Sequence, residues 1–188
     1  MNPKQFSNIC EGMFTSKLSY CIQIFGNVWG VPNMDQTSRR FTAFTKEDNR
    51  RLQVLQNKIL RLKTGLGRDT STSELLNTTG DLSVQQITAY HTLMTVFRTL
   101  KSGKPKYPKE KLILRQDNDA NIGILPQRQV HKVPMTNRYL SASRGGFLYR
   151  GTQLFNSLPL SLRMERRALY FKKCIKKWIK ENIPIKPP

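Results

Sequence analysis

KEDNRRLQVLQNKILRLKTGLG, residues 46–67, is the stretch whose reading decides the fold. Its apolar residues Leu52, Leu55, Ile59, Leu62 and Leu66 recur at alternating steps of 3 and 4, the seam that one helix offers to another. Gly65 and Gly67 are placed to end it. The pattern therefore predicts an amphipathic helix from Lys46 whose leucine seam faces a neighbouring helix.

Working outward, the same period recurs on both sides. Ile9, Met13, Cys21, Ile22 and Phe25 predict a first helix within residues 3–25 with a buried face, stopped by Gly26, Gly30 and Pro32. Residues 31–45 mix Pro, Asn, Asp, Ser and Thr and read as a connection. Ser71 or Thr72 is placed to cap a short turn carrying Leu75 and Leu76. Ser83 then caps a helix through Val84, Ile87, Tyr90, Met94 and Phe97 towards Gly103. Residues 104–138 hold Pro105, Pro108, Pro126 and Pro134 among many charges and read as a basic linker, either a binding loop or disordered. Gly145-Gly146, within residues 139–150, carries a weak signal for one short β-hairpin. The last helix spans about residues 167–182, with Ala168, Phe171, Ile175, Trp178 and Ile179 on one face and lysines elsewhere. Full burial of Trp178 would make its truncation to alanine cost ~3–5 kcal/mol. The expected architecture is mainly α, a small helical bundle. It divides into a helical domain (1–103), a basic linker (104–138) and a basic C-terminal subdomain (139–188).

Charge narrows the function. The 188 residues carry 32 Lys and Arg against 12 Asp and Glu, a net charge of +20. Residues 139–188 alone hold eleven basic and two acidic residues. Such an excess repels itself unless a polyanion neutralises it, so the expected partner is the backbone of RNA or DNA. The candidate contacts are Arg51, Lys58, Arg61 and Lys63 on the leucine-seam helix, and Arg163, Arg166, Arg167, Lys172, Lys173, Lys176, Lys177 and Lys180 at the C-terminal end. Tyr149, Phe155 and Tyr170 are candidates to stack on unpaired bases, while for any one of them a place in the core is the simpler reading.

Signals for chemistry are weak. His91 sits in a predicted amphipathic helix and His131 in a polar loop, and neither has supporting acids or thiols at useful spacing. Asp117 and Asp119, between basic residues, read as charge balance rather than as a metal site. Gly65-Leu66-Gly67 lacks the third glycine of a dinucleotide fingerprint. Cys10, Cys21 and Cys174 form neither a disulfide framework nor a metal-ligand pattern, which suits a reducing compartment. No catalytic residue, metal or cofactor is expected. Residues 1–14 lack the apolar run of a secretory signal, no stretch reaches the ~20 apolar residues of a membrane span, and the sequon at Asn77 carries little weight. A nuclear or cytoplasmic location is expected.

Several blocks, taken in order, resemble a known family. Ser16-Lys17-Leu18-Ser19-Tyr20-Cys21 and Asn27-Val28-Trp29-Gly30 look like the end of the thumb in reverse transcriptases of non-LTR retrotransposons. Leu52-Gln53-Val54-Leu55-Gln56-Asn57-Lys58-Ile59-Leu60-Arg61, closing at Gly65, resembles that family's "LQ, QN, LR, G" helix. Glu74-Leu75-Leu76 and the helix from Leu82 match the next stretch in position. The run from Gly146 to Pro159 (GFLYRGTQLFNSLP), with Leu162-Arg163 and Phe171-Lys172-Lys173, is similar to the closing block, although Phe155 stands where the pattern usually has Trp.

The resemblance implies a C-terminal, thumb and post-thumb piece of such an enzyme. Polymerase chemistry in that family belongs to paired palm aspartates holding two metal ions. This sequence has no Tyr-x-Asp-Asp motif, and its length is expected to leave no room for fingers and palm. A role in holding template and primer, or element RNA or target DNA, carries over to Lys58, Arg61, Arg163, Lys172 and Lys173. Lys176, Lys177 and Lys180 rest on charge and spacing alone. The missing polymerase portion is a further expected partner. Two other readings stay open. One is a decayed reading frame whose product has no function, which a cooperative thermal melt would count against. The other is an interaction module that uses the leucine seam.

Overall fold

The structure is a computed structural model that describes residues 5, 8, 9, 11–20, 22–26, 28, 31, 44–104, 106 and 147–186. Among the described residues it is mainly helical, with no strand. A π-helical turn, Glu11–Thr15, leads into α1 (Ser16–Ser19) and α2 (Ile22–Phe25). There follow α3 (Lys46–Thr64), α4 (Thr72–Thr79), α5 (Val84–Ser102), α6 (Phe147–Asn156), α7 (Leu160–Met164) and α8 (Ala168–Asn182).

Local chemistry accounts for the boundaries of the three central helices. The Thr45 hydroxyl accepts from the Asp48 N–H while the Asp48 carboxylate accepts from the Thr45 N–H, a reciprocal cap at the start of α3. Ser71 caps α4 through the Glu74 N–H. Ser83 and Gln86 repeat the reciprocal cap on α5. Each of these helices stops at a glycine in the left-handed region, Gly65, Gly80 and Gly103, where a side chain would be strained.

α5 is the central element. It buries residues around its whole circumference, from Val84, Ala89 and Leu93 to Thr88, Thr92 and Thr99, because α2, α3, α6 and α8 all pack on it. Two close approaches make that possible. A Cβ on Gly151 of α6 would lie 2.8 Å from the Val96 Cγ2, and one on Gly26, just after α2, would lie 2.6 Å from the Thr88 Oγ1. The largest apolar cluster joins Leu93, Val96 and Phe97 of α5 to Leu154 and Phe155 of α6 and to Phe171, Ile175 and Ile179 of α8. The Phe97 and Phe171 rings stack with centroids 4.1 Å apart. Residues of 84–102 and 147–183 thus share one apolar cluster.

α3 corrects the seam expectation. Leu55 and Leu62 are exposed, and the side chains it buries are Asn49, Gln53, Gln56, Asn57 and Leu60. The helix docks through amides. The Gln53 Oε1 accepts from the Val84 N–H at 2.9 Å, and the Gln56 Nε2 donates to the Leu82 carbonyl at 2.8 Å. The Asn57 Nδ2 donates to the Thr72 Oγ1, while the Gln53 Nε2 donates to both Gln56 and Asn57. Val84 opens α5, so its N–H is one of the four that a helix leaves without an internal acceptor. A glutamine 31 positions earlier supplies one. Gln86 reaches in the other direction and donates to the Ile183 carbonyl, just after α8.

Other expectations also change. Phe147–Arg150 open α6, so this half of the expected hairpin is helical, while Gly145-Gly146 lie outside the described residues. In the first segment Ile22 is buried, but Ile9, Met13 and Phe25 are exposed, so the long buried face is not formed. Trp178 is half-buried at the rim of the core, and the inner face of α8 is Phe171, Ile175 and Ile179. The full-burial cost does not apply to it.

The docking of α3 yields a test. Gln53→Ala and Gln53→Met each leave the buried Val84 N–H without its acceptor and should cost about 1–3 kcal/mol by urea unfolding. The Met variant restores most of the volume, so equal losses assign the cost to the hydrogen bond.

Candidate nucleic-acid interface

On α8 the inner stripe Phe171, Ile175 and Ile179 fixes the rotation of the helix, and the remaining surface is basic. Lys173, Lys176, Lys177 and Lys180 fall at i, i+3, i+4 and i+7, one face of the helix. That face borders a cleft of about 540 Å³ between α8, α3 and α5. Lys63, in the last turn of α3, enters the cleft from the opposite side. Ile59, Leu82 and Ile87 form apolar wall, Tyr90 and His91 of α5 add two rings, and Phe14 and Ser19 of the N-terminal segment also line the recess. Five ammonium groups therefore meet around a recess whose single carboxylate, among the described residues, is Asp81.

The lysines differ in how they are held. Lys63 lies 3.9 Å from Asp81, and Lys177 lies 4.0 Å from Glu181 with its side chain 82% exposed. An ion pair at such a distance in solvent contributes little, so Lys177 can turn to a stronger anion, whereas the Lys63 side chain is largely buried. The Lys180 Nζ donates to the Gly80 carbonyl at the C-terminal end of α4, where the helix dipole favours a cation. The Lys176 Nζ sits 5.7 Å from the centroid of the Tyr90 ring.

The other expected contacts are dispersed. Arg51 is exposed and pairs with Glu47, whose carboxyl the hydrogen bond from Arg50 draws down to about 2. Lys58 and Lys172 are exposed outside the cleft. Arg61 donates to the Gly67 and Thr70 carbonyls and so braces the turn after α3. Arg166 and Arg167 gather at Glu165, and the Arg167 guanidinium lies 4.8 Å over the Tyr170 ring. Arg163 is a correction: it is buried, its Nε donates to the Leu158 carbonyl, and burial lowers its pKa. Tyr149 and Phe155 are core residues, the alternative to stacking, whereas Tyr170 is half-exposed.

No protein-family model, no curated protein and no solved structure matches the chain. Its own geometry is what bears on function. Among the described residues no three His, Cys, Asp or Glu side chains gather as metal ligands, and no helix is long and apolar enough to cross a membrane. His131, Asp117 and Asp119, weighed in the sequence, lie outside the described residues.

Sequence reasoning found the α8 lysines and Lys63 but missed Tyr90 and His91 as their neighbours. Both fall at core spacing on a helix that is buried all round, so nothing in the local pattern marks a cleft. The two rings meet edge to face at 5.4 Å. Burial, and then Arg98, lower the pKa of His91 from its ordinary 6.5. The unfolded chain therefore takes up this proton at a higher pH than the folded one. The resulting stability is complete above 6.5 and is lost as pH falls from there through the lower folded value. Urea midpoints at about pH 8 and about pH 5.5 should show a loss in the native chain that His91→Gln reduces.

Proposed function

We propose that this protein is a retrotransposon-derived segment, akin to the C-terminal part of a non-LTR reverse transcriptase without the polymerase centre. On this reading it binds nucleic acid through phosphate contacts with little sequence readout. The observation that carries the binding reading is the meeting of Lys63 with Lys173, Lys176, Lys177 and Lys180 around one cleft, in a chain of net charge +20. Lysines more than a hundred positions apart in sequence converge there, with one acid among the described residues of the lining. Ammonium groups so arranged neutralise phosphates and release condensed counterions. The retrotransposon origin is supported by the ordered sequence blocks.

The test is binding to labelled duplex DNA and single-stranded RNA across a salt series, for the native chain and for a Lys173/Lys176/Lys177/Lys180→Gln variant. Affinity should fall steeply with salt in the native chain, and the variant should flatten that slope by roughly 3 units. Binding that ignores the four substitutions moves the site elsewhere, and absence of binding at low salt ends the proposal.

One observation favours a second reading. Val54, Leu55 and Leu62 project from α3 into solvent and form an apolar strip with Lys58 in its midst. A helical partner, or a second copy of the chain, would cover it. For self-association, sedimentation should show a concentration-dependent assembly that Leu55→Lys dissolves. Monomeric behaviour of both proteins removes that form of the reading.

A further inference from the structure

We infer that the lysine cleft takes single-stranded nucleic acid, with an unpaired base against Tyr90 and the flanking phosphates on the α8 lysines. This rests on the nucleic-acid reading above and adds the strandedness and the residue that reads it. Three features of the cleft point this way.

The first is its shape and lining. A surface built only for duplex phosphates needs charge, whereas this recess of about 540 Å³ adds an apolar wall of Ile59, Leu82 and Ile87. The outer face of a duplex presents phosphate and sugar and would leave that wall wet. An unstacked base has an apolar face to cover it.

The second is the Tyr90 ring. It lines the cleft, and the Lys176 ammonium stands 5.7 Å from its centroid. A cation over the ring shows that the π-face looks into the recess, the orientation a stacking platform requires. The contact between ammonium and ring is weak enough to open. A base arriving on Tyr90 would release Lys176 to a neighbouring phosphate, so one movement forms two contacts.

The third is the layout of charge. Lys173 to Lys180 spread over roughly 10 Å of helix axis, a line of cations rather than a point. Lys63 faces them from α3. A chain of phosphates matches a line better than a lone phosphate does, so the occupant is a strand and not a free mononucleotide. An acidic peptide would satisfy the lysines but offers no π-face to Tyr90.

Fluorescence anisotropy tests this with a single strand of about twelve nucleotides, an abasic strand of equal length, and the corresponding duplex. Tyr90→Leu should weaken binding of the base-bearing strand by about 10-fold or more, while Tyr90→Phe retains it and duplex binding is unchanged in both. The native chain should bind the abasic strand about as weakly as Tyr90→Leu binds the normal one. Equal affinity of the native chain for abasic and base-bearing strands overturns the inference, and so does an equal loss on duplex. Displacement by polyglutamate as effective as by the unlabelled single strand also overturns it. Should Tyr90→Leu fail to fold, the comparison of strands on the native chain decides alone. Lysine-dependent binding that is indifferent to Tyr90 and to bases removes this inference and leaves the phosphate-binding proposal standing. No binding of any strand removes both.

Discussion

A cluster of side-chain amides at the N-terminus of α5 is the constraint on which the rest of the structure depends. Gln53 accepts from the first N–H of the helix, Gln56 donates to the carbonyl of Leu82 just before it, and Gln86 ties the same turn to Ile183 after α8. Apolar packing alone tolerates sliding and rotation, whereas hydrogen bonds between buried groups demand one register. Three segments, from α3, α5 and the end of α8, are therefore held in a single arrangement. That arrangement sets Lys63 opposite the lysines of α8. The charged cleft is a by-product of how the amides pair.

Much of this was legible in sequence where the signal is local. Ser83 and Gly103 bracket α5 as read, Ser71 caps α4 over the buried Leu75 and Leu76, and the apolar stripe of α8 runs where its spacing places it. Misreading came where burial and hydropathy part company. In α3 the leucine seam suggested the inner face, but Gln and Asn occupy it because their partners are backbone groups and side chains supplied from elsewhere in the chain. No window of local sequence reveals such partners. Arg163 is a candidate phosphate contact by residue type, yet a carbonyl acceptor and a crowded core take it in.

The residues that carry the family resemblance gain a physical meaning from this. Gln53, Gln56 and Asn57 of the block on α3 form the amide cluster, Arg61 braces the following turn, and Gly65 adopts the left-handed conformation that ends the helix. In the closing block Gly151 lets α6 approach α5, and Phe155 fills the core. These side chains hold the fold. The lysines that line the cleft are mostly other residues, with Lys173 the one member of the quoted blocks among them.

The stacking of Phe97 on Phe171 has a consequence for how the chain is made. Synthesis proceeds from the N-terminus, and α5 emerges from the ribosome long before the helix that covers it. At a rate of roughly 5–20 residues per second, the interval between residue 102 and residue 183 is about 4 to 16 s. Throughout it Leu93, Val96 and Phe97 have no α8 to bury them. The nascent chain thus carries an apolar surface beside a growing excess of positive charge, and the apolar surface is covered only when Phe171, Ile175 and Ile179 arrive together.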